Sequence, residues 1–281
     1  MTRRYAQLAW TAATFTYLLI ILGAIVRITG SGLGCGEHWP LCNGRLFPPL
    51  DVPTLIEYGH RLVAAAVSVL VAALAACAWW RRRGAESPKG LPDGRGERFP
   101  PDRTAYVAVG LLILQILLGA VTVKLSLPPW TVILHLGTAM LLLATLIVAA
   151  RGATITPPSG AGLAALALGF VTVLFGALTA NLGAASACLG FPLCNGQVMP
   201  AGNYLQHVQW THRLLAYTLF GYVIWWALRT KRRGAWYVVT LVTLQVAVAG
   251  AMVLLALPQP LQAAHVAVGA AVWAGLVLAA L

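Results

Sequence analysis

Hydrophobic positions in this chain form long unbroken runs, not the three-to-four-residue spacing of a helix that packs one face on a water-soluble core. The runs cover residues 7–28, 55–80, 104–124, 130–150, 161–181, 205–228, 234–257 and 261–281. Each is close to the roughly 20 residues with which an α-helix crosses a bilayer core. The polar stretches between them differ in kind. Residues 29–54 and 182–204 are rich in Gly, Pro and Cys and read as two outer loops. Residues 81–103 mix both charge signs with Gly and Pro, the composition of a disordered linker. Residues 152–160, with Pro157-Pro158, join two halves, and prolines at Pro128-Pro129 and Pro258-Gln259-Pro260 mark short turns. The pattern predicts an all-α integral membrane protein of eight transmembrane helices. The first run is of full spanning length and lacks a small-residue cleavage site, so it reads as a span and not as a signal peptide.

The runs also repeat. Pro40-Leu41-Cys42-Asn43-Gly44 recurs as Pro192-Leu193-Cys194-Asn195-Gly196, and His60-Arg61-Leu62 recurs as His212-Arg213-Leu214. Leu22-Gly23-Ala24 corresponds to Phe175-Gly176-Ala177, and Gln115, Leu127-Pro128 and His135 correspond to Gln245, Leu257-Pro258 and His265. Each unit holds four spans, an even number, so the units share one orientation in the membrane. The expected architecture is two parallel-repeat four-helix bundles, residues 1–151 (with the 81–103 linker) and residues 152–281.

Composition changes this picture only by fixing its sidedness. The chain is 59% hydrophobic and 9% charged, against about 25% charged in soluble domains. Its net charge of +12 comes from 19 Lys and Arg against seven acids, and fourteen of the basic residues lie in four places: Arg3 and Arg4, residues 81–103, Arg151 and residues 229–233. These are alternate connections, as the positive-inside rule requires. Both termini are therefore expected in the cytoplasm, the cysteine loops outside, and the chain in the cell membrane. The basic charge reads as topology; the partner it implies is the lipid bilayer, and no nucleic acid.

Candidate chemistry sits at the outer mouths of the spans. Glu57, His60 and Arg61 open the second run, and Gln209, His212 and Arg213 open the sixth. Ionisable side chains in hydrocarbon are costly and mark functional sites. His135 and His265 lie near the outer start of the fourth and eighth runs, which places His60 with His135 and His212 with His265 at matching depths. Two imidazoles facing across a bundle suit axial ligation of haem iron. The residue four positions deeper is small in every case (Ala64, Ala139, Ala216 and Gly269), leaving room for a flat macrocycle. Hydrogen bonding between helices is the alternative for a single histidine, and two imidazoles are too few for zinc. Arg27, Arg61 and Arg213 are candidates for haem propionates, which arginine matches in bidentate geometry, or for anchoring at the interface. Lys124 reads as an interfacial anchor and His38 and His207 as solvated.

Glu57 breaks the symmetry, because Gln209 holds its place in the second half. A carboxylate can act as general base or stabilise a developing cation, which an amide cannot; an i, i+4 ion pair with Arg61 is the other reading. One disulfide is expected in each outer loop, from Cys35 and Cys42 and from Cys188 and Cys194, as a staple or as an exchangeable bond. Cys77, alone in an apolar run, reads as inert.

These residues resemble the haem A synthase family over essentially the whole chain. The resemblance is carried by Glu57-Tyr58-Gly59-His60-Arg61, Thr211-His212-Arg213, His135-Leu136, His265, Gly30-Ser31-Gly32-Leu33-Gly34-Cys35 and Trp39-Pro40-Leu41-Cys42-Asn43-Gly44. It implies haem b as cofactor on His212 and His265, and haem O as substrate near His60 and His135. It further implies oxidation of the C8 methyl to a formyl group in two hydroxylations assisted by Glu57, and the disulfides Cys35–Cys42 and Cys188–Cys194. The implied partner is haem O synthase (protohaem farnesyltransferase), with a terminal oxidase as recipient; electron donor and homo-oligomerisation are left open. A bis-haem b electron carrier, cytochrome b561-like or quinol-linked, would use the four histidines but explain neither Glu57 nor the cysteines. A thiol-redox membrane protein would use the cysteines and leave the histidines idle.

Overall fold

The computed structural model describes residues 3–85, 101–152 and 158–281. Eight α-helices account for most of them: α1 Arg3–Ile28, α2 Val52–Ala85, α3 Pro101–Lys124, α4 Pro129–Arg151, α5 Gly160–Asn181, α6 Tyr204–Thr230, α7 Arg233–Leu254 and α8 Gln259–Ala280. A single 3₁₀ turn, Ala184–Ser186, interrupts the second outer loop, and no strand forms among the described residues. The expected linker falls largely outside the described residues, as does Pro157 between the halves.

Local chemistry sets the helix ends. Asp51 precedes α2 and its Oδ1 accepts from the Thr54 N–H at 3.1 Å. The hydroxyl and N–H of Thr54 hold the Asp51 carboxyl below the usual carboxylate range. Ser159 caps α5, and the Asn203 side chain caps α6 by accepting from Leu205 and Gln206 N–H. The α3–α4 and α7–α8 turns are alike. Ser126 and Leu127, and Ala256 and Leu257, all take positive φ. In each turn the second residue donates back to the helix it leaves, Leu127 N–H to Thr122 O and Leu257 N–H to Met252 O, both at 2.8 Å. That is the long backbone bond of a Schellman-type stop, and the proline that follows cannot extend the helix.

Seven of the eight helices are long and apolar enough to cross a membrane; α6 is not among them. The eighth expected span therefore rests on the length and packing of α6 and not on its composition. At 27 residues α6 has the length, but its first three turns carry Gln206, His207, Gln209, Thr211, His212 and Arg213. It packs against α5 and α7 along with the rest of the helices.

Helices α1, α2, α3 and α4 each pack against the next, with α4 closing back on α1; α5, α6, α7 and α8 do the same. Helices α4 and α5, α1 and α8, and α4 and α8 form the seam between the two sets. Many of the buried positions are small, among them Ala9, Ala12, Ala13, Ala105, Ala108 and Ala149, while Leu18, Val69, Ile113, Leu117 and Leu228 face outward. In lipid, where apolar surface gains little from helix contact, small residues let backbones approach and supply van der Waals packing. The seam is made the same way, with four polar ties added, one of them from Gln259 Nε2 to Ile28 O at 3.4 Å. Trp273 Nε1 donates to Met140 O at 2.8 Å, Tyr17 donates to Ala267 O at 3.0 Å, and Arg27 reaches Ala180 O at 3.5 Å. The Trp273 ring also packs on Phe170, with centroids 5.5 Å apart.

Candidate functional site

Each of the four central histidines is held by the helix that precedes its own. A Cβ on Gly23 of α1 would lie 3.1 Å from His60 Cε1, one on Gly119 of α3 would lie 3.2 Å from His135 Cε1, and one on Gly176 of α5 would lie 2.9 Å from His212 Cε1. Three imidazoles thus sit in the space a side chain would otherwise fill. On α3 and α7, Gln115 Nε2 lies 3.1 Å from His135 Nε2, and Gln245 Nε2 lies 3.1 Å from His265 Nδ1 and 3.3 Å from its Nε2. His60 is within electrostatic reach of His135, and His212 of His265.

The rings are half-buried as residues, yet Nδ1 of His60, His135 and His212 is buried with no hydrogen-bond partner. A buried polar nitrogen without a partner is costly unless something else binds there. Among the described residues no three of His, Cys, Asp or Glu converge. Imidazoles seated on glycine with an unpartnered nitrogen, as at His60, His135 and His212, fit axial ligation of haem iron.

The arginines are committed elsewhere. Arg61 Nη1 donates to the carbonyls of Leu41, His38 and Pro40 at 2.8, 2.9 and 3.3 Å. Arg213 Nη1 donates to Leu193, Gly190 and Pro192 at 2.8, 3.0 and 3.3 Å, and its Nη2 to Cys188 O at 2.9 Å. The roles expected for Arg61 and Arg213 are propionate partner and anchoring at the lipid interface; these contacts add a third, to loop backbone. A guanidinium clamps each outer loop onto the helix below because loop carbonyls left unpaired near the membrane need donors. Arg27 is turned toward α5 across the seam. His38 and His207 are exposed, as is Lys124 at the end of α3.

Glu57 is only 4% exposed and both its oxygens are engaged. Oε1 pairs with Arg61 Nη2 at 2.6 Å, and Oε2 accepts from Cys35 N–H at 2.7 Å. The i, i+4 ion pair is therefore present, and it extends into a loop contact. Gln209 forms no equivalent: its Nε2 reaches Ala185 O at 3.5 Å and its Oε1 is buried without a partner. Arg213, lacking a carboxylate, turns its Nη2 to the backbone instead.

Cys35–Cys42 and Cys188–Cys194 are disulfides with Cα–Cα distances of 4.3 and 4.6 Å. All four cysteines are buried, which keeps the sulfurs from an attacking thiol and fits a staple. Asn43 and Asn195 follow their cysteines and donate to Gly34 O and Ala187 O, each at 3.2 Å. Cys77 is the one free cysteine among the described residues.

Two groups carried no assigned chemistry in the sequence. Gln115 and Gln245 were visible only as a matched pair, and Gly23 and Gly176 only as part of a repeated tripeptide. The small residue one turn below His265 also makes room for the glutamine. A Cβ on Gly269 would meet Gln245 Nε2 at 3.2 Å, so that glycine faces the glutamine.

Comparison with known proteins adds the following. A family described as cytochrome oxidase assembly protein matches residues 6–277. The chain is similar to the heme A synthase of Bacillus licheniformis, 34% identical over 237 residues that cover 78% of this chain and 74% of the relative. It is likewise similar to the heme A synthase of Shouchella clausii, 36% identical over 65% of this chain and 61% of the relative. The heme A synthase of Listeria monocytogenes serovar 1/2a is 30% identical over 80% of this chain and 76% of the relative.

Proposed function

Because the chain belongs to the haem A synthase family of cytochrome oxidase assembly proteins, we propose that it is a membrane oxidoreductase of haem A biosynthesis. In this reading it oxidises the C8 methyl of haem O to a formyl group, first to a hydroxymethyl and then to a geminal diol that loses water. The observation that supports the reading is that His60, His135 and His212 each keep a buried unpartnered nitrogen on a ring seated on Gly23, Gly119 or Gly176.

His60 and His135 hold the substrate haem O, and His212 and His265 hold haem b. Haem b, when bound, supplies one-electron redox chemistry at the second pair. Glu57 belongs to the substrate half. It pairs with Arg61, accepts from the Cys35 N–H and stands three residues before His60, where a carboxylate stabilises positive charge developing on the substrate. The second half, with Gln209 in that place, carries no such charge and keeps a permanent cofactor.

The two sets of four helices are two bundles of one parallel repeat, residues 1–151 for substrate and 152–281 for cofactor. Both termini lie in the cytoplasm and both haem sites face the outer side of the cell membrane, as the distribution of basic residues and the oxidised loops favour. Haem O synthase is the supplier and a terminal oxidase the recipient.

Purified protein supplied with haem O, a reductant and oxygen should yield haem A and its hydroxymethyl precursor on chromatography of the extracted pigment. Full occupancy with haem O and no oxidised product under any reductant would overturn the proposal, and two haem b per chain would point to an electron carrier.

A further inference from the structure

We propose that Gln115 and Gln245 are positioning residues that set the orientations of His135 and His265, and that they do so differently in the two halves. The inference rests on the reading of these histidines as haem ligands. Each glutamine sits on the helix before its histidine, and each places its amide nitrogen about one hydrogen bond from the ring. In each, Oε1 is buried and without a partner. A buried amide that uses its donor on an imidazole and strands its acceptor spends polar groups for one purpose, because leucine would fill the same volume without that cost. Turned over about its last bond, the same amide offers that oxygen to a ring N–H. Ligand imidazoles are generally held through such a bond at the nitrogen away from the metal.

The two halves differ through an exchange of one glycine. In the first, the ring of His135 rests on Gly119, and Ala139, one turn below the histidine, keeps its methyl. In the second, Ala249 stands where Gly119 would recur, and Gly269 stands where Ala139 would. The glycine has moved from beneath the histidine to beneath the glutamine. The amide contacts follow: Gln115 Nε2 meets one ring nitrogen of His135, whereas Gln245 Nε2, with no methyl below it, lies against both ring nitrogens of His265. The exchange gives the cofactor half an amide that meets both ring nitrogens and the substrate half one that meets a single nitrogen, at the same shortest distance of 3.1 Å.

The test uses the full-length protein purified with its haem, with the low-spin ferric electron paramagnetic resonance spectrum, the reduced α band and the rate of haem loss to apomyoglobin as readouts. Gln245→Leu should shift the resonance and α band of haem b and speed its loss about fivefold, the worth of one hydrogen bond. Gly269→Ala keeps the amide but crowds it, and should shift the same signals in a protein that retains the glutamine; it decides the matter if Gln245→Leu does not fold. Unchanged spectra and loss rates in the folded variants would overturn the proposal. His265→Ala separates this from the reading beneath it. If that variant loses haem b while Gln245→Leu and Gly269→Ala are silent, the positioning role alone fails. If His265→Ala keeps an unaltered haem b, the ligand assignment fails and the positioning role with it.

Discussion

At residue scale the contrast between Glu57 and Gln209 organises the outer end of the protein. Two side chains of nearly the same shape receive different partners because the carboxylate turns one acceptor oxygen to an arginine and the other to a backbone N–H, where the amide has a donor in place of the second oxygen. If the charge on Glu57 serves the reaction, Glu57→Gln should leave haem b content unchanged and slow haem O oxidation about 100-fold, measured as turnover of purified protein. Full turnover with normal haem content would show that the carboxylate serves only to tie down the loop. The asymmetry itself was legible in the sequence, since it needs only an aligned repeat. What could not be read was where Arg61 and Arg213 point. A histidine-arginine dipeptide beside a haem-like site suggests propionates, and only the folded loops reveal how many carbonyls converge on each guanidinium.

At the scale of elements, each outer loop is a unit closed by a disulfide, an asparagine and an arginine clamp, lying on the start of a helix. Arg213 is 6% exposed and satisfies four loop carbonyls. Arg213→Met should strand them and cost about 3 kcal/mol, read as a lowered midpoint of thermal unfolding in detergent. The loss should exceed that for Lys124→Met, where the side chain is exposed. Helix boundaries were legible to within a few residues, because prolines and αL stops punctuate the runs. The largest differences are at α2, which runs on to Ala85 past the expected Trp80, and at α1, which starts at Arg3; α7 ends at Leu254 instead of Leu257 because the chain leaves it through two left-handed residues that hydropathy does not register. The α6 run falls short of a spanning composition because its first turns are polar.

At the scale of the molecule, the seam decides whether two four-helix sets act as one body. It depends on Trp273, which fills the space between α4, α5 and α8 and donates to Met140 O. No repeat predicts this, as the residue at the matching place in the first half, Leu143, has no donor. Trp273→Ala removes a buried ring and its hydrogen bond, and should cost about 4 kcal/mol. The seam should then open before either set unfolds, giving two thermal transitions where the parent gives one. A single transition, merely lowered, would mean that the two sets melt as one body however the seam is weakened.

The central claim is that one chain carries two unequal haem sites, a substrate pair and a cofactor pair. It is tested most directly by extracting and chromatographing the haems of His60→Ala and His212→Ala variants, each purified after co-expression with haem O synthase. The account predicts that His212→Ala loses haem b, whereas His60→Ala keeps haem b and loses haem O and its oxidised products. Loss of the same haem from both variants, or of neither, would contradict it.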